Sequence, residues 1–571
     1  MYFERKKNIS IFAFFCLSLF ILIAYSNTFS VPFLFDDFAS IVNKENVYSE
    51  GFSAIYQSFS QRIVTYSTFK INFDLHQLNV FGYHVVNTGV HIICSFLVYL
   101  FTLELLKLSA LNEKTSLELS IDARWFALFV SLIFATHPLQ TQAVTYIVQR
   151  ATSLAALFYI AAMLSYLKFR LVDKVIYKLL LCLLIIVISV LAIFTKQSAY
   201  TIPIALIVLE IVFIYPILRY PTKKLFMLMA VLGVVIVSCL VCFPEILIKI
   251  DAASKETLDF SRFAYFESQL SVIIHYIGLF FYPSPLQVEY IYPLADGTFV
   301  HSISYLVAYL AIALLAIVLI RKQPVISFAI FLFFIAHAVE SSFIPISDLV
   351  FEHRTYLPNL SLSLLTVLLF QKLLSKNEAL LTIVLILIVL GGAYLTYQRN
   401  ALWAQPINLY KIELAINNKK PRIHAMLGEH YREVSKHQLS AQSYKLAYEL
   451  TGDFNTLDNQ GYEAKFGYFN NYVAALSRTG NNIKAINLTL NVLPQLTGSK
   501  YLAIIYTNLG GFYWQEKNYL HCTKYMFQAM KLDPNYIAPV MGVGKCFEEM
   551  GDKEMAVHMF DKAKGMYLKS K

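Results

Sequence analysis

Charged side chains are few in this chain. Only 15% of its 571 residues are Asp, Glu, Lys or Arg, while 57% are hydrophobic and the mean hydropathy is +0.56. Soluble domains carry about 25% charged residues, so an ordinary soluble enzyme is excluded and a multi-span membrane protein is expected. Cysteine is scarce as well: Cys16, Cys94, Cys182, Cys239, Cys242, Cys522 and Cys546. The first five lie in apolar runs, and Cys239 and Cys242 have a ligand-like gap but stand among Val and Leu with no histidine cluster. A structural zinc site or a disulfide framework is therefore not expected. No basic stripe interleaves with aromatics, which excludes a nucleic-acid groove. Of the net charge of +10, the region after residue 400 holds +6, from 20 Lys/Arg and 14 Asp/Glu.

What is present is long apolar runs. A span needs about 20 apolar residues, and candidates fall near 9–29, 84–106, 124–142, 151–170, 176–195, 199–217, 224–243, 301–320, 325–345, 356–374 and 379–398. The first follows Arg5-Lys6-Lys7 and lacks a small-residue cleavage site, so it reads as an uncleaved span. Residues 269–283 are apolar but short and end in Pro-Ser-Pro, which predicts a re-entrant or interfacial segment. Basic residues then recur in alternate loops: Lys168, Arg170, Lys174 and Lys178; Arg219, Lys223 and Lys224; Arg321 and Lys322; Lys372 and Lys376. By the positive-inside rule this predicts eleven crossings, an inner N-terminus and an outer region beyond Arg399.

That outer region changes character. Gly510, Tyr513, Cys522, Met526 and Ala529 recur 34 residues later as Gly544, Phe547, Ala556, Phe560 and Ala563. An earlier copy is Gly428, Tyr431, Ser440, Tyr444 and Ala447. Small residues where paired helices touch, facing an aromatic, make the tetratricopeptide pattern, and such stacks present surfaces that hold peptides. The expected organisation is all-α: a membrane domain over 1–398 with an outer loop at 28–83, a linker over 399–420, and a repeat solenoid over 421–571.

Polar residues concentrate at the outer ends of the spans. Asp36 and Asp37 sit in Val31-Pro32-Phe33-Leu34-Phe35-Asp36-Asp37-Phe38, and Arg62 lies in the same loop. His137, Gln142 and Arg150 fall between the third and fourth spans; Lys196-Gln197 closes the fifth; Glu289 follows the short segment; Glu352-His353-Arg354 opens the tenth. Bland readings exist for several: His137 before Pro can cap a helix end, and Arg150 and Lys196 can be snorkelling anchors. Three consecutive ionisable residues at a span start are costly unless used. The set suits group transfer from an anionic lipid. Arg150, Lys196 and Arg354 can hold a phosphate, and either aspartate can take the proton of an incoming hydroxyl. A divalent cation, Mg2+ or Mn2+, bridging acid and phosphate is compatible with the set, though nothing in the sequence demands one.

Several motifs together resemble one family: Phe35-Asp36-Asp37, Phe81-Gly82-Tyr83-His84-Val85-Val86-Asn87, His137-Pro138 through Arg150, Lys196-Gln197, and Phe351-Glu352-His353-Arg354-Thr355-Tyr356-Leu357-Pro358. They are similar to the GT-C membrane glycosyltransferases with C-terminal tetratricopeptide repeats, relatives of the protein O-mannosyltransferases. The resemblance implies an inverting transfer of mannose or another hexose from a polyprenyl- or dolichyl-phosphate donor. It implies a protein Ser/Thr acceptor held by the repeats, and a catalytic role for the acidic pair, Asp36 and Asp37. Gln142 and Gln197 stand where eukaryotic members tend to have Glu, which resembles the bacterial branch. That implies a bacterial cytoplasmic membrane with the repeats outside it, or an endoplasmic reticulum membrane with lumenal repeats in a eukaryote. Two other classes remain open: a membrane-anchored repeat scaffold, and a lipid or glycan transporter, which would place its charges near mid-membrane.

Overall fold

The computed structural model describes residues 2–111, 118–215, 261–300, 302–457 and 459–570, and every regular element among them is helical. The chain divides into two compact units, 1–405 and 406–571.

The first unit begins with α1 (Tyr2–Ala24), then four short helices of the first loop: α2 (Asp36–Ser40), α3 (Glu45–Glu50), α4 (Phe52–Phe59) and α5 (Ile63–His76). There follow α6 (Val80–Leu111), α7 (Ala123–Thr136), the single turn α8 (Thr141–Val144), α9 (Arg150–Leu171), α10 (Val175–Ile193) and α11 (Ile202–Leu209). After residue 260 come α12 (Arg262–Phe281), α13 (Ile303–Leu319), α14 (Pro324–His337), α15 (Pro358–Leu373) and α16 (Glu378–Trp403). These helices coincide with ten of the expected spans; the stretch 224–243, with Cys239 and Cys242, lies outside the described residues.

Among the described residues, five segments are long and apolar enough to cross a membrane by length and composition, against eleven crossings expected over the whole chain: Val80–Leu111, Ile147–Leu171, Val175–Ile193, Gln197–Ile214 and Glu378–Trp403. Ser10–Ala24, Ala123–Thr136, Ile303–Leu319 and Pro324–His337 are apolar but shorter. The shortening has local causes. α7 stops at Thr136 because His137 precedes Pro138 and takes an extended conformation. Burial separates the roles of the long helices. The apolar window that contains α9 is 72% buried, whereas that of α10 is 6% buried. α9 is therefore an inner helix, and α10 presents Leu179, Leu183, Ile186 and Val190 outwards, as a helix against hydrocarbon does.

Residues 269–283 differ from the expected short segment. Residues 269–281 are the latter part of the unbroken 20-residue helix α12. Both ends of α12 meet residues that follow helix termini: Arg262 Nη1 donates to the Phe343 carbonyl at 2.8 Å, just beyond α14, and the Phe280 carbonyl meets His137 Nε2 at 2.8 Å, just beyond α7. The helix thus lies across one end of the bundle.

In the second unit, α17 (Pro406–Ile416) precedes four helix pairs: α18 (Pro421–Glu433) with α19 (His437–Leu450), α20 (Asn459–Arg478) with α21 (Asn482–Val492), α22 (Ser499–Gln515) with α23 (Tyr519–Leu532), and α24 (Ile537–Glu549) with α25 (Lys553–Ser570). Residues 399–420, read as a linker, are mostly helical, and Glu413 of α17 forms a buried pair at 2.7 Å with Lys420, just before α18. The 34-residue period has a packing cause. A Cβ on Gly428, Gly510 or Gly544 would lie 3.1, 2.7 or 2.6 Å from Tyr444, Met526 or Phe560 of the paired helix. Cys522 and Cys546, on consecutive helices with Cα atoms 6.4 Å apart, form a disulfide. This single bridge, 24 residues apart in sequence, was not anticipated, the expectation having been that there is no disulfide framework.

Gly544→Val is expected to destabilise the last repeat by about 1–3 kcal/mol, because the Phe560 ring has to move aside. Hydrogen exchange of α24 and α25 in the intact protein checks it; unchanged protection would contradict the packing argument.

Candidate functional site

The chain leaves α1 through the single 3-10 turn Thr28–Ser30 and runs extended to Phe35, which sits at φ +48°. A non-glycine residue there costs of order 1–3 kcal/mol and persists only where surroundings enforce it. The enforcing contacts involve Asp37. Its Oδ2 accepts from Leu34 N at 3.0 Å and its Oδ1 from Val148 N at 2.7 Å, closing the turn on itself and fastening it to the segment between α8 and α9. Asp36 N donates to Tyr146 Oη at 2.7 Å, and His84 Nε2 meets the Val31 carbonyl at 2.8 Å. The two aspartates are thereby distinguished. Asp37 is 1% exposed and its burial pushes its carboxyl up to about 8, against the opposing pull of the two N–H donors and Arg150. Asp36 is only partly buried.

Arg150 does not face an open site. It is fully buried, and its Nε, Nη1 and Nη2 donate to Asn87 Oδ1 at 2.5 Å, Thr68 Oγ1 at 3.1 Å and the Tyr83 carbonyl at 3.1 Å. Its guanidinium also lies 4.5 Å from the Phe69 ring centre. A donor-phosphate role is therefore withdrawn, because its hydrogen-bonding fork is already engaged in joining α5, α6 and α9. His137 is likewise used: Nδ1 accepts from Leu139 N at 3.2 Å, Nε2 meets Phe280, and the ring stacks on that phenylalanine at 4.4 Å. It caps a helix end.

A second group assembles from four separate segments. Lys196 pairs with Glu340 at 2.6 Å and donates to Thr152 Oγ1 at 2.9 Å. Gln197 Oε1 accepts from Arg62 Nε at 3.1 Å. Arg354 donates from Nη1 to the Leu349 carbonyl at 3.0 Å and from Nη2 to that of Asp348 at 2.8 Å. Gln142 Oε1 accepts from His353 N at 2.8 Å and meets His353 Nδ1 at 2.9 Å. Burial, then the charges of Lys196, Arg354 and Arg62, hold His353 well below the usual imidazole range. The charges of all three cations act on this one buried histidine. Burial also lowers the Lys196 ammonium, while Glu340 holds it up. A cavity of about 20 Å³, room for about one water, lies among Thr152, Tyr159, Ser198, Glu340 and Arg354.

The first loop ties the two groups together. Within α5, Val64 N donates to the Phe194 carbonyl at 3.1 Å and Thr65 Oγ1 to that of Thr195 at 3.0 Å, while Tyr66 Oη reaches Ser40 Oγ at 3.4 Å. Glu352 is a fastening rather than an open acid: it is fully buried, accepts from Gln287 N and Tyr290 Oη, and pairs with Arg399 at 2.5 Å. Glu289 lies half-buried in the same 287–290 stretch. Arg399, read from the sequence only as the boundary of the outer region, was not expected to pair with Glu352; its one further signal is a charge beside Asn400 near the end of an apolar helix. Asn400 accepts from Thr145 Oγ1 at 2.6 Å and donates to the Ala24 carbonyl at 3.1 Å, so α16 closes this end of the bundle. A resident divalent cation does not fit this donor set. Asp37 is saturated, Glu340 and Glu352 are ion-paired, and no three His, Cys, Asp or Glu among the described residues group to hold a metal.

No family model matches the chain. Curated relatives do. A protein O-mannosyl-transferase of Caenorhabditis elegans is 26% identical over 72% of this chain and 58% of its own length. Human protein O-mannosyl-transferase TMTC3 is 23% identical over 96% of this chain and 62% of its own, and Drosophila melanogaster Tmtc3 is 31% identical over 27% of this chain. The chain thus spans about three fifths of the first and the human relative. The likeness expected from the motifs is borne out over most of the chain. Among solved structures, MamA covers 29% of this chain at 18% identity with a TM-score of 0.24.

Asp37→Ala orphans two buried N–H groups, each worth about 1–3 kcal/mol, and is expected to lower the unfolding temperature of the intact protein. Asp36→Ala is expected to shift stability by no more than about 0.5 kcal/mol. Equal losses in a thermal-shift comparison would contradict the division between them.

Proposed function

We propose that this chain, similar over most of its length to protein O-mannosyl-transferases, is a membrane glycosyltransferase of the GT-C type. It moves a mannose-like hexose from a polyprenyl- or dolichyl-phosphate donor to a Ser/Thr hydroxyl of a protein. The observation that carries this reading is the pairing of a fastened acid with a less enclosed one, Asp37 with Asp36, in a loop strapped to the Arg62, Lys196 and Arg354 cluster.

In this reading Asp36 is the base. The acceptor hydroxyl gives it a proton, and the hydroxyl oxygen bonds to the anomeric carbon as the bond from that carbon to the phosphate oxygen breaks. That oxygen keeps the electron pair and departs as lipid phosphate, with inversion at carbon. Arg62, Lys196 and Arg354 take the phosphate. They accelerate the reaction to the extent that they bind its growing charge more strongly than its ground-state charge. Asp37 positions the turn, Gln142 holds His353, and Gln197 holds Arg62.

The reading puts the site and the repeats outside the cytoplasm. Two observations support that side. Lys168 to Lys178, Arg321-Lys322 and Lys372 to Lys376 all lie at helix ends away from the site, as the positive-inside rule requires of inner loops. The Cys522–Cys546 disulfide suits an oxidising compartment. A bacterial cytoplasmic membrane, or an endoplasmic reticulum membrane, meets both conditions.

In a purified transfer assay with mannosyl-phosphoryl-polyprenol and a Ser/Thr peptide, Asp36→Asn should abolish transfer. Lys196→Ala and Arg354→Ala should each lower turnover by about 10²-fold, while Arg150→Lys should act through stability rather than donor affinity. Transfer by the Asp36→Asn variant would end the assignment of the base. For topology, a Lys500→Cys label should react with an impermeant maleimide from the outer side of intact cells or from the lumen of intact microsomes. Reaction only from the cytoplasmic side would overturn it.

A further inference from the structure

At the end of the bundle away from the site, α6, α9 and α10 leave a groove between them. α9 runs from Arg150, beside the acidic turn, to Leu171, and 22 helical residues span about 33 Å. The groove at its far end is thus too distant to belong to the transfer site. Its volume is about 510 Å³, and its walls are mainly Leu171, Leu180, Leu181 and Leu184, with Lys168 and Glu104 as its charged members. The charges are unequal in availability. Glu104 is already paired with Lys107 at 2.8 Å, and the neighbouring Arg170 is paired with Glu210 at 3.0 Å. Lys168 is exposed and has no ion-pair partner among the described residues, and Lys174 is exposed nearby. The groove therefore joins an apolar trough to an uncompensated cation at the end of α9, the end that the positive-inside reading places at the inner membrane face.

We propose that this groove is a binding site for an anionic phospholipid, with an acyl chain along the leucines and the headgroup phosphate on Lys168. The two halves of the site select the ligand together. A leucine-walled trough gives a free phosphate nothing to bury, and a zwitterionic lipid gains less from a lysine than an anionic one does. Basic pockets between helices at one membrane face hold anionic headgroups on the same principle. The site is independent of the transferase reading and shares no residue with it.

The test uses the full-length protein purified in detergent, loaded from mixed micelles of equal phosphatidylglycerol and phosphatidylcholine, with retained lipid counted by native mass spectrometry. Wild type is expected to retain phosphatidylglycerol at least tenfold over phosphatidylcholine. Lys168→Gln should bring the ratio near one, while Lys376→Gln, a basic change at the same end but outside the groove, leaves it unchanged. Leu181→Trp should displace both lipids. Melting temperature in detergent verifies that each variant is folded, and a second filling variant, Leu184→Phe, stands in for Leu181→Trp if that one is not. Equal retention by wild type overturns the proposal. So does an equal loss of preference in the Lys168 and Lys376 variants, which would show diffuse attraction to a basic membrane face.

Discussion

Asp37 uses both oxygens of one buried carboxylate on backbone N–H groups from two distant segments, Leu34 and Val148. Much of this end of the molecule depends on that double acceptance. It holds Phe35 in a conformation a phenylalanine would not take alone, and it fastens the first loop to the chain entering α9. It leaves Asp36 at the mouth of the turn. Arg150 reinforces the same junction from beneath through Asn87, Thr68 and Tyr83. The acid proposed to act on substrate is therefore carried by a support built from another acid and a buried cation. A carboxylate held to a fixed position loses less on meeting its substrate than a mobile one does.

The cation cluster rests on a comparable arrangement. Lys196, Arg62 and Arg354 come from three segments far apart in the chain, and each is held by a neighbour: Glu340, Gln197, and the carbonyls of Asp348 and Leu349. Three like charges near one buried histidine are unfavourable without an anion. The cluster thus gathers positive charge, with Glu340 paired to Lys196. On the proposed function, a lipid phosphate relieves that repulsion, so that donor binding and relief are the same event.

Much of this could be read in the sequence, and what could not has physical reasons. The apolar runs located ten described helices, because hydrophobicity over a whole span outweighs local detail. They did not show where local stops such as His137-Pro138 cut a helix short inside an apolar run. The repeats were legible because Gly428, Gly510 and Gly544 answer to one steric demand at one period. The site was legible as a set of residues but not as a division of labour. Arg150 and Arg354 look alike in sequence and both are buried; their partners distinguish them, since Arg150 joins α5, α6 and α9, whereas Arg354 is held by the Asp348 and Leu349 carbonyls and lines the small cavity with Glu340. Arg399 and the Cys522–Cys546 bridge were missed because their partners lie 47 and 24 residues away with no intervening pattern.

The measurement that bears most directly on the account is glycoproteomics of extracytoplasmic proteins from a host lacking this chain, compared with the same host complemented by wild type or by Asp36→Asn. The account predicts that a defined hexose disappears from Ser/Thr peptides on deletion, returns with wild type and does not return with the variant. An unchanged glycoproteome, or restoration by Asp36→Asn, would contradict it.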